Sequence, residues 1–262
     1  MPAADIATPL RDKTFVLATD LDGTFLGGPE EARHALYAWI DANRDTVGLV
    51  FVTGRDPAFI MELCETTPVP FPDYAVGDVG TTIAHVSRTE GVTPIAELEA
   101  AIAAAWNGAG AQVRQALADW PGLTLQPTTF RYRVSYDMDP AAFDPRAKDV
   151  VAEMGLDWLI SDNRYFDVLP KGVSKGPSLK RFLAHLQVNP GRVLAAGDTL
   201  NDLSLLSAGL PSVAVGNAEP ALRRELGDLP ALHHAEGHGA AGITEAILAF
   251  DLHPLGGLIH AK

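Results

Sequence analysis

The chain has 262 residues, 47% hydrophobic and 20% charged, enough to bury a full core and too apolar for a disordered chain. Its formal net charge of −13 makes duplex nucleic acid and anionic membranes poor partners. The same charge means that a site for an anionic ligand needs local cations, helix N-termini or a divalent metal to reverse the field. With one cysteine there is no intrachain disulfide, and Cys64, in the helical setting IMELCETT, reads as a small buried hydrophobe. The opening MPAADIATPLRDK has early acids and no apolar core of signal-peptide length, and no run is long enough to span a bilayer. A cytoplasmic location is the expectation.

In chain order, Phe15 to Thr19 is a short apolar run that suits a buried strand, ending at Asp20, Asp22, Gly23 and Thr24. Glu30 to Asn43 reads as an amphipathic helix opened by Pro29, with Ala32, Leu36, Trp39 and Ile40 on one face. Val47 to Val52 is a second buried strand ending in Thr53-Gly54-Arg55-Asp56, Pro57 opens a helix to about Glu65, and Tyr74 to Gly77 is a third strand closing into Asp78 to Thr82. This βαβ rhythm implies a parallel sheet with helices on its faces. The pattern changes near Ala84. A helical stretch from about Ile95 to Trp120 is interrupted at Gly108 and Gly110; strands are expected over Leu123–Gln126 and Phe130–Tyr136, a helix over Pro140–Met154, and strands over Trp158–Ser161 and Tyr165–Leu169, the order of an α+β insert. From Gly176 the βαβ rhythm resumes: helices over Pro177–Leu186, Asn201–Ala208, Glu219–Leu226 and Ala240–Phe250, strands over Val193–Ala196, Ser212–Val215 and Leu232–Ala235. A Gly-rich tail from Leu252 reads as fraying.

Chemistry gathers at the strand ends. Two aspartates one residue apart can send a side chain and a backbone carbonyl to one hard cation, and a carboxylate beside a cation can attack phosphorus while its neighbour protonates the leaving oxygen. Asp-Gly is also a common turn dipeptide. Thr53 and Gly54 can give a hydroxyl and N–H groups to phosphate oxygens. Lys175, just before a helix, can pair with a phosphate and with Asp20. Asp198 would complete an oxygen cage for Mg²⁺, with Asp202 as direct or outer support; helix capping explains one acid there, not two acids and Asn201 within five positions.

These clusters, Asp20-Leu21-Asp22-Gly23-Thr24, Thr53-Gly54-Arg55, Lys175 and Gly197-Asp198 with Asn201-Asp202, resemble the haloacid-dehalogenase-like hydrolase superfamily over about Thr14 to Phe250. The resemblance implies an α/β fold, a Rossmann-like parallel-sheet core (1–84 and 172–262) with an inserted α+β cap of the C2B type (85–171). It also implies Mg²⁺-dependent phosphoryl transfer through an aspartyl-phosphate. Asp20 then looks like the nucleophile and Asp22 the general acid/base, its backbone carbonyl on the metal; Thr53, Gly54, Lys175 and Asn201 resemble phosphate-binding groups, and Asp20, Asp22, Asp198 and Asp202 the metal site. The stretches YAVGDVGTTI, RVSYDMDP, DVLPKGVSKG and HHAEGHGAAGITEAILAF are similar to sucrose-phosphatases and related phosphatases of glycosylated metabolites. The implied substrate is sucrose 6-phosphate or a relative such as mannosylfructose phosphate, made by a glycosyltransferase acting one step earlier. A phosphomutase and a non-catalytic sugar-phosphate sensor are the alternatives. Candidates for contact with the sugar are Arg55, Asp78, Gly80, Thr81, Arg133, Asp167 and Lys171. The cap aromatics Trp120, Tyr132, Tyr136 and Trp158 read as packing. His233, His234 and His238 lack a supporting pattern for a transition metal, and Gly23–Gly28 lacks the dinucleotide-binding glycine spacing.

Overall fold

The computed structural model describes residues 8–254; the first residues of the opening stretch and the end of the Gly-rich tail lie outside the described residues. The chain runs through β1 (Phe15–Thr19), α1 (Glu30–Ala42), β2 (Val47–Val52), α2 (Pro57–Thr66), β3 (Tyr74–Gly77), β4 (Thr82–Ser87) and β5 (Gly91–Pro94). There follow α3 (Ala96–Trp106), α4 (Gly110–Ala116), β6 (Leu123–Leu125), β7 (Val134–Met138), α5 (Ala147–Glu153), β8 (Asp157–Ser161) and β9 (Tyr165–Leu169). The last part is α6 (Lys175–His185), β10 (Val193–Gly197), α7 (Leu203–Leu206), β11 (Ser212–Ala214), α8 (Pro220–Leu226), β12 (Leu232–His234) and α9 (Ala240–Ala249).

Eight strands form one sheet in the order β12-β11-β10-β1-β2-β3-β4-β5, parallel from β12 through β3 and antiparallel at β4 and β5. Successive side chains of a strand point to opposite faces, and β1 uses both. Phe15 and Leu17 pack with Leu36, Ile40, Ile243 and Ile247 of α1 and α9. Val16 and Ala18 pack with Leu179, Phe182, Leu205 and Leu222 of α6, α7 and α8. With a helical layer on each face, all five residues of β1 are buried, which is why the strand is a continuous apolar run. The strand order departs in both directions from β1, to β2 on one side and β10 on the other, so the crevice outside its carboxyl end is the ligand position of an open α/β sheet.

A second sheet, β6-β7-β9-β8, is antiparallel throughout and packs Tyr136, Phe166 and Val168 against Trp106, Val113 and Val151 of α3, α4 and α5. The α/β architecture with a smaller α+β unit agrees with the sequence. Four local expectations change. The large sheet continues through β4 and β5 to Pro94, so the break expected after residue 84 falls inside β4. The strand expected from Phe130 begins only at Val134, because Arg133 turns back over the Phe130 ring, 3.6 Å from its centre. The helix expected over Pro140–Met154 is confined to Ala147–Glu153; Pro145 disfavours helical geometry before it, and Asp144 instead accepts from the Arg146 backbone N–H in a tight turn. The expected helix from Asn201 is a 3₁₀ turn, Leu200–Asp202, leading into the single turn of α7.

Candidate active site

Asp20 follows the last residue of β1, its N–H donating to the Ala196 carbonyl of β10 at 2.9 Å, so its direction is fixed by the sheet. The chain then turns through Gly23 at φ 77°. A Cβ on Gly23 would lie 2.1 Å from Asp198 Oδ2, so only glycine lets the turn meet the carboxylate that closes β10 from the other side. Thr24 Oγ1 donates to Asp198 Oδ1 at 2.7 Å, and Asn217 Nδ2 donates to the Gly23 carbonyl at 2.9 Å. Asp202 accepts the N–H groups of Asp198 and Thr199 at 3.0 and 3.1 Å on one oxygen. Its other oxygen takes Lys175 Nζ at 2.6 Å. It therefore holds the loop and the lysine at once.

Lys175, the first residue of α6, is 0% exposed and donates to Asp20, Asn201 and Asp202 at 2.7, 2.7 and 2.6 Å, using all three ammonium protons. Burial pulls its pKa down, but Asp20 and Asp202 together outweigh burial and hold it above the ordinary lysine value. Burial pushes the Asp20 carboxyl up to about 8; Lys175 opposes this and Asp202 and Asp198 add to it. Asp198 is raised to about 7, again by burial first, with the Thr24 hydroxyl opposing and Asp202 adding. Carboxylate oxygens of Asp20, Asp198 and Asp202 lie within 4.8 Å of one another. An all-oxygen donor set with more negative charge than one lysine neutralises fits a hard divalent cation such as Mg²⁺.

That crowding has a measurable consequence. A carboxyl with a folded-state pKa near 7 against an ordinary 3.8 costs the folded state nothing below about pH 4, and its cost grows until the folded pKa is passed. With divalent cations chelated, Asp198→Asn is expected to raise the melting temperature at pH 8 by several degrees, on the order of 2–4 kcal/mol, and to leave it unchanged at pH 4. Thermal melts at the two pH values check this.

At the end of β2, Thr53 is buried with its hydroxyl accepting from the Arg55 N–H at 3.1 Å, and Gly54 faces the cavity. Arg55 grips Asp22 with two parallel bonds of 2.8 and 2.9 Å and lies over the Phe59 ring. Asp22 is half-exposed and its carboxylate stands apart from the three clustered acids.

Above these groups is a cavity of about 560 Å³ between the strand ends of the large sheet and one face of the small sheet. Asp20, Asp22, Gly54, Asp198 and Asn201 line its base. Of the residues expected to meet a sugar, Arg55, Arg133 and Asp167 line it. Asp78, Gly80 and Thr81 are buried away from its wall. Lys171 pairs with Asp157 at 2.8 Å on the surface. The structure adds Gln126, Ser161, Asp162 and Tyr165; period-2 alternation on β9 from Asp167 could have offered Tyr165, while Gln126 and Asp162 lie just past the ends of β6 and β8. Tyr165 faces the cavity, while none of the four aromatics read as packing lines it: Tyr136 is in the small core and Trp120 donates to the Asp144 carbonyl. Asn217, three residues beyond the end of β11, is a further site residue that the sequence reading missed, although it too follows a strand of the large sheet. His233 meets Glu245 and His234 meets the Gly227 carbonyl. Cys64 is buried, its thiol pushed up to about 12 by burial.

The family model of sucrose-6F-phosphate phosphohydrolases matches residues 13–251. Mannosylfructose-phosphate phosphatase of Agrobacterium fabrum is 30% identical, over 94% of this chain and 99% of its own length. Glucosylglycerol-phosphate synthase of Pseudomonas anguilliseptica is 39% identical over 90% of this chain, which spans only 30% of that protein's length. The sucrose-phosphatase of Synechocystis sp. PCC6803, solved with sucrose and phosphate, superposes with a TM-score of 0.80 at 28% identity, covering 91% of this chain and 98% of that one.

Proposed function

From the premise that the chain belongs to the sucrose-6F-phosphate phosphohydrolase family and is a sugar-phosphate phosphatase of haloacid-dehalogenase-like fold, we propose that it hydrolyses the phosphate ester of a glycoside or disaccharide through an aspartyl-phosphate on Asp20. The observation that carries this reading is the buried Asp20–Lys175–Asp202 cluster, with Asp198 beside it, at the base of a polar cavity.

In the proposed reaction an Asp20 carboxylate oxygen attacks phosphorus and the bond from phosphorus to the sugar oxygen breaks. Protonated Asp22 gives its proton to that oxygen, freeing the sugar. Asp22, now a carboxylate, takes a proton from water as the water oxygen attacks phosphorus, and the Asp20–phosphorus bond breaks to release phosphate. Asp22 reaches this place by turning away from Arg55. Thr53, the Gly54 N–H, Asn201 and Lys175 bind the phosphoryl oxygens, and Lys175 keeps Asp20 aimed. Asp20, Asp198 and the Asp22 backbone carbonyl would hold Mg²⁺, with Asp202 in support; when bound, Mg²⁺ supplies positive charge that offsets the phosphoryl oxygens. The cavity wall formed by the small sheet would choose the sugar.

Two substrate readings have support. The family model and the mannosylfructose-phosphate phosphatase favour a phosphorylated disaccharide. The 39% identity to a glucosylglycerol-phosphate synthase favours glucosylglycerol phosphate, and it supports pairing with the glycosyltransferase that makes the ester. Phosphate release from sucrose 6-phosphate, mannosylfructose phosphate and glucosylglycerol phosphate, with Mg²⁺ and with EDTA, tests both. The best ester by kcat/KM names the substrate; a requirement for a sugar bisphosphate would mean a mutase instead. No helix among the described residues is long and apolar enough to cross a membrane.

A further inference from the structure

The turn Asp78-Val79-Gly80 leaves β3 in a backbone conformation its residues resist. Asp78, Val79 and Gly80 have φ of 51°, 60° and 99°, and a β-branched residue at positive φ is held there only by its surroundings. Three parts of the molecule hold it. The N–H groups of Asp78 and Val79 donate to the Arg55 and Thr53 carbonyls at 3.0 and 3.1 Å, on either side of Gly54. Gly80 abuts the start of α6: a Cβ there would lie 2.5 Å from the Ser174 carbonyl carbon and 3.0 Å from the Lys175 nitrogen, and Ser178 donates to the Gly80 carbonyl at 2.7 Å. The third is the small sheet's Arg133, whose Nη2 donates to the Gly54 carbonyl at 3.2 Å and stops 3.8 Å short of Asp78 Oδ1.

This last contact is unfinished. Asp78 Oδ1 and Arg133 Nε are both buried without a hydrogen-bond partner, although Asp78 Oδ2 is satisfied by Thr82 at 2.5 Å and Arg133 Nη1 by Asp167 at 3.3 Å. Asp78 Oδ1, buried and about half an ångström beyond hydrogen-bond distance of the Arg133 guanidinium at Nη2, is costly as it stands and gains on a small approach. We propose that Arg133 and Asp78 form a latch between the small and large sheets, closing when the small sheet settles on a bound ester and thereby fixing Gly54 and Lys175 around the phosphoryl group. Both are positioning residues. The inference rests on the phosphatase reading and adds to it a route by which recognition of the sugar reaches the reacting end.

The test compares the wild type with Arg133→Gln, Asp78→Asn and the double variant on the preferred glycosidic ester and on p-nitrophenyl phosphate, which has no sugar for the small sheet to close on. A latch lowers kcat on the glycosidic ester roughly 10- to 100-fold in each single variant, with KM changed by less than about threefold. The double variant is then no worse than the weaker single, and the loss on p-nitrophenyl phosphate is at least about tenfold smaller. Arg133→Lys recovers part of the loss and serves if Arg133→Gln fails to fold. Independent multiplicative losses, or a raised KM in Arg133→Gln with Asp78→Asn inert, would overturn the latch and make Arg133 a direct sugar contact. Should the wild type release phosphate from no ester, the phosphatase reading fails and the latch is judged by hydrogen exchange. The Asp78 and Val79 amides exchanging about tenfold faster in Arg133→Gln supports it, and unchanged exchange overturns it.

Discussion

Asp20→Asn is expected to reduce phosphate release by roughly 10⁴-fold or more while leaving the fold intact. The amide is isosteric with the carboxyl, and Asp20 sits in a place fixed by its own backbone bond to Ala196, so nothing in the packing need move. Two things are lost: the anionic oxygen proposed to attack phosphorus, and one of the three acceptors around Lys175, which keeps Asn201 and Asp202. Losing that acceptor is tolerable; losing the nucleophile is not. Phosphate release on the preferred ester, with circular dichroism to confirm folding, measures the effect. Residual activity within tenfold of wild type would mean that Asp20 is not the nucleophile.

Lys175→Met is expected to act first on stability. Its ammonium is buried between Asp20 and Asp202, and methionine fills much the same volume without the charge. Two buried carboxylates then face each other unpaired, a situation that costs about 3–5 kcal/mol where a buried ion pair loses one partner. The sign with pH follows from Asp20, whose carboxyl is already raised to about 8 with the lysine in place. Removing the cation raises it further, so the penalty is absent below about pH 4, where the carboxyls are protonated in the unfolded chain as well, and grows as pH rises through the folded value. Urea unfolding at pH 5 and pH 8.5 should show a larger deficit at the higher pH. An equal deficit at both would assign the loss to packing.

The large-sheet core and its strand-end acids were legible because the constraint is local: a strand buried on both faces must be apolar throughout, and the residue that ends it is polar only if something beyond the sheet needs it. Phe15–Asp20, Val47–Thr53 and Val193–Asp198 all announce themselves this way. β4 and β5 were not legible. Gly91–Pro94 is a short edge strand, Thr82–Ser87 pairs antiparallel between it and β3, and the exposed His85 and Thr93 interrupt the two runs, so their apolar signal is weak. In the small sheet the errors share a cause, since Arg133 and Asp144 spend their side chains on local tertiary contacts that no periodicity encodes. Within the site, the acids ending β1 and β10 and the Thr53-Gly54-Arg55 run ending β2 were found, as were Arg133 and Asp167 of the small unit, whereas Asn217 after β11 and the small-unit residues Gln126, Ser161 and Tyr165 were not.

The placement of β1 between β2 and β10 has a bearing on how the protein comes into being. Synthesis delivers Asp20 near the start, with β2 close behind to cover one edge of its strand; the other edge stays open until Val193–Gly197 emerge. Lys175 lies 155 residues after Asp20, and Asp198 lies 174 residues after the Thr24 hydroxyl it accepts from. The carbonyl of Gly27, in the turn that follows Asp20, waits longer still, for the N–H of Ala240. A nascent chain therefore carries the Asp20 carboxylate for most of its synthesis without the cation that pairs with it, the acid beside it or the loop that braces its turn. Long-range closure of this kind slows folding. The cluster around Asp20 is thus completed only by the last third of the chain, so a chain interrupted before Lys175 holds the carboxylate proposed to attack phosphorus without its partners.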